Sequence, residues 1–151
     1  MGFIRLSQTF TRPNDATQYT AADLVANSTT AGSVAPLTFA SMRPGLVTSV
    51  SLYHTDQDAT GSTFRVWLLD TSPTVTNGDN GALAGVAAST VLGTVAITAD
   101  NNCGDTYGIA FMANPRGLYV PAIFYGLIEA TGTYTPAAQE TFGVTVCVSP
   151  L

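Results

Sequence analysis

The side chains best suited to chemistry in this sequence are the single histidine and the carboxylates that follow it. His54 ends a predicted strand, and Asp56 and Asp58 stand at the next alternate positions, a spacing that a metal ion could use. Both aspartates fall in a loop, where such residues are common, so we predict no metal site. A serine hydrolase needs a histidine base beside its nucleophile, and the sequence holds no Gly-x-Ser-x-Gly turn. We therefore predict a protein that is not an enzyme, without catalytic residues or cofactors.

Two weaker patterns support the same prediction. Glu129 and Glu140 are the only glutamates, and neither has a context typical of the paired carboxyls of a glycosidase. The segment 100–105 begins like a calcium loop, but the positions that require Gly and Glu hold Asp105 and Phe111. A turn rich in Asn and Gly explains this segment.

The charge content of the chain is unusually low. Charged residues make up 10% of it, against about 25% in ordinary soluble domains, and there is no lysine. A net charge of -5 with five scattered arginines argues against nucleic acid as a partner. No apolar run reaches the roughly 20 residues that span a bilayer, so we expect no membrane partner. We expect synthesis in a bacterial cytoplasm, which keeps Cys103 and Cys147 reduced; a bridge between them is the other reading.

The segment 64–69, Phe-Arg-Val-Trp-Leu-Leu, is the strand around which the rest is organised. Strand side chains alternate between the two faces of a sheet, and here both faces carry large apolar groups. The second face, which holds Trp67, therefore needs a cover. Together with the low charge, this indicates that another subunit covers it and that Trp67 lies at a contact.

The other strands follow from alternation between turn signals. In 45–54 we place Leu46, Val50, Leu52 and His54 on one face. Pro121 must bend its strand or place it at an edge. The predicted strands are 4–10, 36–42, 45–54, 64–69, 91–99, 107–113, 118–129 and 141–148.

About eight short strands without a convincing helix predict an all-β fold, an antiparallel β-sandwich of jelly-roll type. Residues 1–151 then form a single domain, with residues 1–12 as either an N-terminal arm or an edge strand. An apolar arm with two arginines suits a protein contact. The predicted capsid or subunit contacts are Phe3, Ile4, Arg5, Leu6, Phe10 and Arg12. In the competing reading these residues belong to an ordinary strand inside the domain.

Several stretches together resemble a known family. They are residues 10–19, 23–34, 64–68, 72–82, 125–130, 134–136 and 140–142. The set is similar to small proteins encoded by tailed bacteriophages and prophages, most of all to their capsid cement (decoration) proteins. The resemblance implies a jelly-roll protein on the outer capsid surface of a virion. There it would sit as a dimer or trimer, clamp neighbouring subunits of the major capsid protein and stabilise the shell.

A different function fits the same fold. Jelly rolls also bind glycans through exposed aromatic side chains, and Trp67 and Tyr53 are the candidates for such a platform. The alternative is therefore a glycan-binding or adhesive module, a fibre or tail component of the same phage. A solvent-facing indole in a cleft favours this module, and a buried indole favours the clamp.

Overall fold

The computed structural model describes residues 2–56, 60–112 and 117–151. These ranges form eleven β-strands and two 3-10 helices, Ala31–Ser33 and Ala88–Thr90. The strands are β1 (Ile4–Thr11), β2 (Asp23–Val25), β3 (Leu37–Ala40), β4 (Gly45–His54), β5 (Ser62–Leu69), β6 (Val91–Ala99), β7 (Asn101–Asn102), β8 (Thr106–Phe111), β9 (Leu118–Val120), β10 (Ile123–Ala130) and β11 (Thr141–Pro150).

The strands form two antiparallel sheets. The six-stranded sheet has the order β1-β11-β4-β8-β7, with β9 paired to β4 beyond the end of β8. The five-stranded sheet has the order β2-β10-β5-β6, with β3 paired to β10 beyond the end of β2. The hydrophobic core lies between the inner faces of the two sheets.

The strand order identifies the sandwich as a jelly roll. Counting β2 with β3 as one strand and setting aside the short β7 and β9, eight main strands remain. They lie in the order first-eighth-third-sixth in one sheet and second-seventh-fourth-fifth in the other. The first strand lies beside the last, and most connections cross between the sheets, as in the double Greek key of a jelly roll. The predicted fold class is confirmed.

Two strand predictions match the structure residue for residue, 45–54 and 91–99. The long apolar run 118–129 is divided at Pro121, as its missing backbone donor requires. β9 ends at Val120 in the six-stranded sheet, and β10 begins at Ile123 in the other. Pro121 therefore marks the point at which the chain changes sheets.

The prediction that Leu46 shares a face with Val50 is wrong. Val47 and Val50 are both buried, whereas Leu46 is partly exposed. β11 pairs Cys147 with Ser49 but Val148 with Val47, so Thr48 is an extra residue in β4. Such a β-bulge reverses the alternation on one side of it, and simple period-two counting does not detect it.

The second face of β5 is covered by this chain itself, not by another subunit as predicted. The segment 70–90, here called the cover segment, follows β5 and returns over its outward residues. A second apolar cluster there is built from Leu69, Leu127 and Leu24 of the sheet with Val75 of the cover segment. Leu83 and Val86 pack against its margin. The two apolar faces of β5 therefore require no partner chain.

The two sheets approach each other closely at Gly108, so we expect a side chain at this position to destabilise the fold. A Cβ atom built on this residue of β8 would overlap the carbonyl oxygen of Thr98 in β6, where the edges of the two sheets meet. We expect Gly108→Ala to lower the free energy of unfolding by about 3 kcal/mol, as in an overpacked core. At Gly32 nothing lies within 4 Å of the added atom, so Gly32→Ala is the matched control with almost no effect. Thermal unfolding of the two variants measures the difference, and equal midpoints would contradict the packing at this corner.

Candidate functional site

The predicted N-terminal contact residues separate into inward and outward sets. Residues 4–11 form β1, an edge strand paired with β11 along its whole length. Leu6 and Phe10 pack against the core, and Phe10 stacks on Phe142 with ring centroids 5.9 Å apart. Ile4 is partly buried, whereas Arg5 is exposed and Phe3 is 70% exposed. Of the predicted set, Phe3 and Arg5 are thus the residues available to a partner.

Arg12 lies in a buried polar cluster instead of at the surface. Its guanidinium places one nitrogen 2.7 Å from Asp79 Oδ2, and both side chains are 0% exposed. The Arg12 Nε–H donates to the hydroxyl of Tyr19, which itself donates to Asp79 Oδ1 at 2.6 Å. The backbone N–H of Ala26 donates to the same Oδ1 at 2.7 Å. Arg12 therefore fastens the cover segment, through Asp79, to the rest of the fold.

The outward side of the six-stranded sheet, here called the outer face, is almost free of charge. Its central part consists of three cross-strand rows running from β1 through β11 and β4 to β8. The rows are Thr9, Gly143, Tyr53 and Tyr107; Ser7, Thr145, Ser51 and Ile109; and Arg5, Cys147, Ser49 and Phe111. Arg5 is the one charged residue in these rows. A sheet face exposed to water normally carries many more charged side chains.

The outer face divides into a hydroxyl side and an aromatic side. Ser7 and Thr145 share a hydrogen bond of 2.8 Å between their hydroxyls. A Cβ at Gly143 would overlap the ring of Tyr53, so this ring lies over the glycine of the neighbouring strand. On β8, Ile109 is 49% exposed and Phe111 76% exposed. Between the two sides runs a groove of about 410 Å³, and the charged residues in its lining are Arg5 and Asp105.

The same side of the molecule continues into an apolar end. Tyr119 of β9, opposite Leu46, adds a further exposed ring, 51% accessible. The N–H of Leu151 donates to the carbonyl of Pro44, which brings the last residue beside the β3–β4 turn. The exposed large apolar side chains at this end are Phe3, Met42, Ile123 and Leu151. An apolar surface of this composition is typical of a protein contact.

Trp67 lines a separate pocket on the covered face of the five-stranded sheet. The pocket has a volume of about 640 Å³ and lies between the sheet and residues 83–88. Trp67 is partly exposed, and its indole N–H donates to Glu129 Oε2 at 2.7 Å. Arg65, opposite Glu129 on β5, lies 3.2 Å from the same oxygen. The indole is therefore neither fully buried nor fully exposed.

A second buried polar cluster surrounds the histidine. The His54 ring places Nδ1 2.8 Å from Glu140 Oε1 and Nε2 3.0 Å from the hydroxyl of Ser62. The Tyr134 hydroxyl lies 2.5 and 2.6 Å from the two oxygens of Glu140 and donates to them. Burial, and then the bond to Glu140, raises the pKa of Tyr134 above its usual value.

The Ser62, His54 and Glu140 side chains follow the hydrogen-bond order of a hydrolase triad. Ser62 also lines a shallow pocket of about 360 Å³. In a triad, however, the histidine must reach the leaving group, and His54 is 0% exposed beneath the rings of Phe64 and Phe142. This arrangement satisfies polar groups in the core and joins β4 and β5 to the segment that precedes β11.

Sequence reasoning missed both buried clusters. Asp79 has no role in the predictions made from the sequence, and Glu140 enters them only as a possible glycosidase carboxyl. One local feature could have indicated the second cluster. In the stretch 134–140, a tyrosine stands six residues before a glutamate, just ahead of the last strand. Asp79 pairs with Arg12, 67 residues away along the chain, and Tyr134 lies beside His54, 80 residues away, so no local pattern pairs them.

Metal and thiol chemistry are not apparent in the described ranges. Within residues 2–56, 60–112 and 117–151, no group of three His, Cys, Asp or Glu side chains is placed to hold a metal ion. Asp58 of the His-x-Asp-x-Asp pattern lies outside these ranges. Cys103 and Cys147 are both free thiols. Among the described residues, no helix is long and apolar enough to cross a membrane.

Comparisons with known proteins gave structural likenesses only. No protein-family model and no curated protein matches the chain. The structure is similar to VP2 in the subviral particle of infectious bursal disease virus, at 12% identity and a TM-score of 0.37. That likeness covers 97% of this chain and 33% of VP2, so the chain spans about a third of the VP2 length. A second likeness is to the virus-like particle of the extra small virus of the giant freshwater prawn Macrobrachium rosenbergii, at 13% identity and a TM-score of 0.26, covering 100% of this chain and 82% of that one. The jelly-roll assignment rests on the strand order given above.

Proposed function

We propose that this chain is a structural virion protein that binds the outside of a phage capsid and cements neighbouring subunits of the major capsid protein. The observation that carries the proposal is the outer face, where one residue in three cross-strand rows is charged. Removing hydroxyl and aromatic groups from water costs much less than removing charges. A face of this kind is suited to contact with another protein.

Four ionisable side chains that are buried in the fold lower the charge of the surface further. Arg12, Asp79, Glu129 and Glu140 are among the buried residues, so the surface is even poorer in charge than the composition indicates. Their burial also explains part of the low surface charge without any partner, because those side chains are paired inside the fold. The exposed apolar side chains on β8, on β9 and at the adjacent apolar end are not explained by this burial, and a partner protein would cover them.

The outer face alone is smaller than a stable protein interface. The outer face is four strands wide, at a spacing of about 4.8 Å, and eight residues long, at about 3.4 Å each. Its area is therefore roughly 500 Å². A stable interface covers about 800 Å² on each partner. The contact therefore includes the apolar end with Phe3 and Met42 as well as the outer face. This retains Phe3 and Arg5 of the N-terminal contact proposed from the sequence.

Cementing follows from binding several subunits at once. A single contact of this size ranges widely in affinity, but a dimer or trimer that spans neighbouring capsid subunits binds multivalently. A protein that binds only the assembled lattice stabilises that lattice by mass action, without any chemistry. In this proposal the partners are the major capsid protein and other copies of this chain, and the location is the outer surface of the virion.

The proposal is tested by placing one lysine on the outer face. We expect Ile109→Lys to weaken co-sedimentation with capsids stripped of this protein by about 100-fold or more, because an unpaired charge in an interface costs about 2–5 kcal/mol. Thr98→Lys, an exposed position on β6 of the other sheet, adds the same charge and is the control that still binds. If Ile109→Lys binds the stripped capsids as tightly as Thr98→Lys does, the outer-face proposal is wrong. Mass determination of both variants in solution shows whether self-association is lost as well.

A further inference from the structure

We propose that the pocket at Trp67 is a binding site for a neutral sugar ring. The site lies on the opposite sheet from the outer face, so the inference stands or falls independently of shell binding. Its volume of about 640 Å³ is within the range of small-molecule sites, which are largely apolar with a few convergent polar groups. The arrangement of those groups identifies the class of ligand.

The apolar part of the pocket consists of the Trp67 indole and aliphatic side chains. Leu83 and Val86 come from the cover segment, and Val91 from the start of β6. Arg12 and Asp79 fasten this segment to the fold, so the wall is held before a ligand arrives. An indole beside aliphatic groups offers a surface for the C–H groups of a pyranose ring.

The polar part of the pocket is the carboxylate of Glu129. Its Oε2 accepts hydrogen bonds from Trp67 at 2.7 Å and Arg65 at 3.2 Å, whereas its Oε1 accepts one long bond of 3.4 Å from Arg65. A carboxylate has about four acceptor sites, so Glu129 can still accept from a ligand. Glu129 is 7% exposed and lines the pocket.

Charge balance decides between ligand classes. A cationic ligand gains little, because Arg65 already pairs with Glu129. An anionic ligand is repelled by the carboxylate, and a purely apolar ligand would cover Glu129 without supplying a donor. A neutral polyhydroxylated ring supplies both hydroxyl donors for Glu129 and C–H groups for the indole.

The single tryptophan of the chain lies in this pocket, so its fluorescence reports binding directly. The probes are methyl pyranosides of glucose, galactose, mannose, N-acetylglucosamine and fucose, with tetramethylammonium and benzene as the cationic and apolar comparisons. We expect a saturable change in emission with at least one pyranoside, at a Kd of about 1 mM, and none with the two comparisons. The inference is overturned if no pyranoside gives a saturable change, or if tetramethylammonium or benzene alone does.

Two neighbouring alanines give a matched pair of variants. Ala88 lines the pocket, whereas Ala87 is exposed beside it and does not. We expect Ala88→Leu to weaken pyranoside binding at least tenfold and Ala87→Leu to leave it unchanged. Glu129→Gln, checked for an unaltered circular dichroism spectrum, should also weaken it tenfold. If Ala88→Leu binds the pyranoside as tightly as the unmodified protein, the ligand lies elsewhere and the site is wrong.

Discussion

Replacing Asp79 by asparagine should lower the free energy of unfolding by about 3–5 kcal/mol, the usual cost of breaking a buried ion pair from one side. Asp79 is the carboxylate within 2.7 Å of the Arg12 guanidinium, and it also accepts bonds from Tyr19 and the N–H of Ala26. In the variant, the Arg12 charge stays buried without this counter-charge. Thermal unfolding should then occur roughly 10 °C lower, as expected for a chain of this size.

The control for this prediction is the other carboxylate near Arg12. Asp15 lies 3.5 Å from the same guanidinium, and its side chain is 33% exposed. Because the Asp15 carboxylate is open to water, its contact with Arg12 contributes only about 0–1 kcal/mol, so Asp15→Asn should change the midpoint only slightly. Adding Arg12→Met to Asp79→Asn should restore part of the lost stability, because it removes the unpaired charge. Equal effects of Asp79→Asn and Asp15→Asn would contradict the structural role of this cluster.

The second large effect is expected at alkaline pH. Burial, followed by the neighbouring carboxylate, raises the pKa of both Tyr19 and Tyr134 in the folded protein. In the unfolded chain tyrosine ionises near pH 10. Stability from these two groups is therefore complete below about pH 10 and falls as the pH rises further, since only the unfolded state releases the protons. The slope reaches about 2.7 kcal/mol per pH unit for two protons.

Two signals recorded in one titration test this prediction. The chain has six tyrosines, and we expect an absorbance step of two tyrosinates to coincide with the loss of far-ultraviolet circular dichroism. For a free energy of unfolding of about 5 kcal/mol, the lower end of the ordinary range, the step should lie near pH 12. Tyr19→Phe should halve the number of tyrosinates formed in that step. Ionisation of all six hydroxyls while the dichroism remains native would show that Tyr19 and Tyr134 are not enclosed.

The two buried clusters have different consequences for function. The Arg12 cluster fixes the cover segment, and the cover segment makes one wall of the Trp67 pocket. Asp79→Asn should therefore disturb the pocket before it disturbs the outer face. The His54 cluster lies between the two sheets and joins β4 and β5 to the segment that precedes β11. Its rings are part of the core, and its hydrogen bonds leave its buried groups paired.

The strands were predictable from local sequence because their causes are local. Alternation in residues 91–99 and 141–148, a proline at 121 and turn residues between segments depend on neighbours in the chain. Those features determined an antiparallel sandwich before any contact was known. The bulge at Thr48 was not predictable in this way, since it depends on how β11 is aligned with β4.

Contacts between distant residues depend on the tertiary structure, and local sequence did not predict them. From the sequence, the two apolar faces of β5 indicated a partner chain, but the cover segment fills that role. Arg12 was predicted to lie at an interface, but it is buried and paired with Asp79, 67 residues away along the chain. Local sequence patterns indicate which side chains are removed from water. They do not indicate which other part of the chain, or which partner, covers those side chains. That choice is made when loops close over the sheets, where a residue's partner depends on the path of the whole chain.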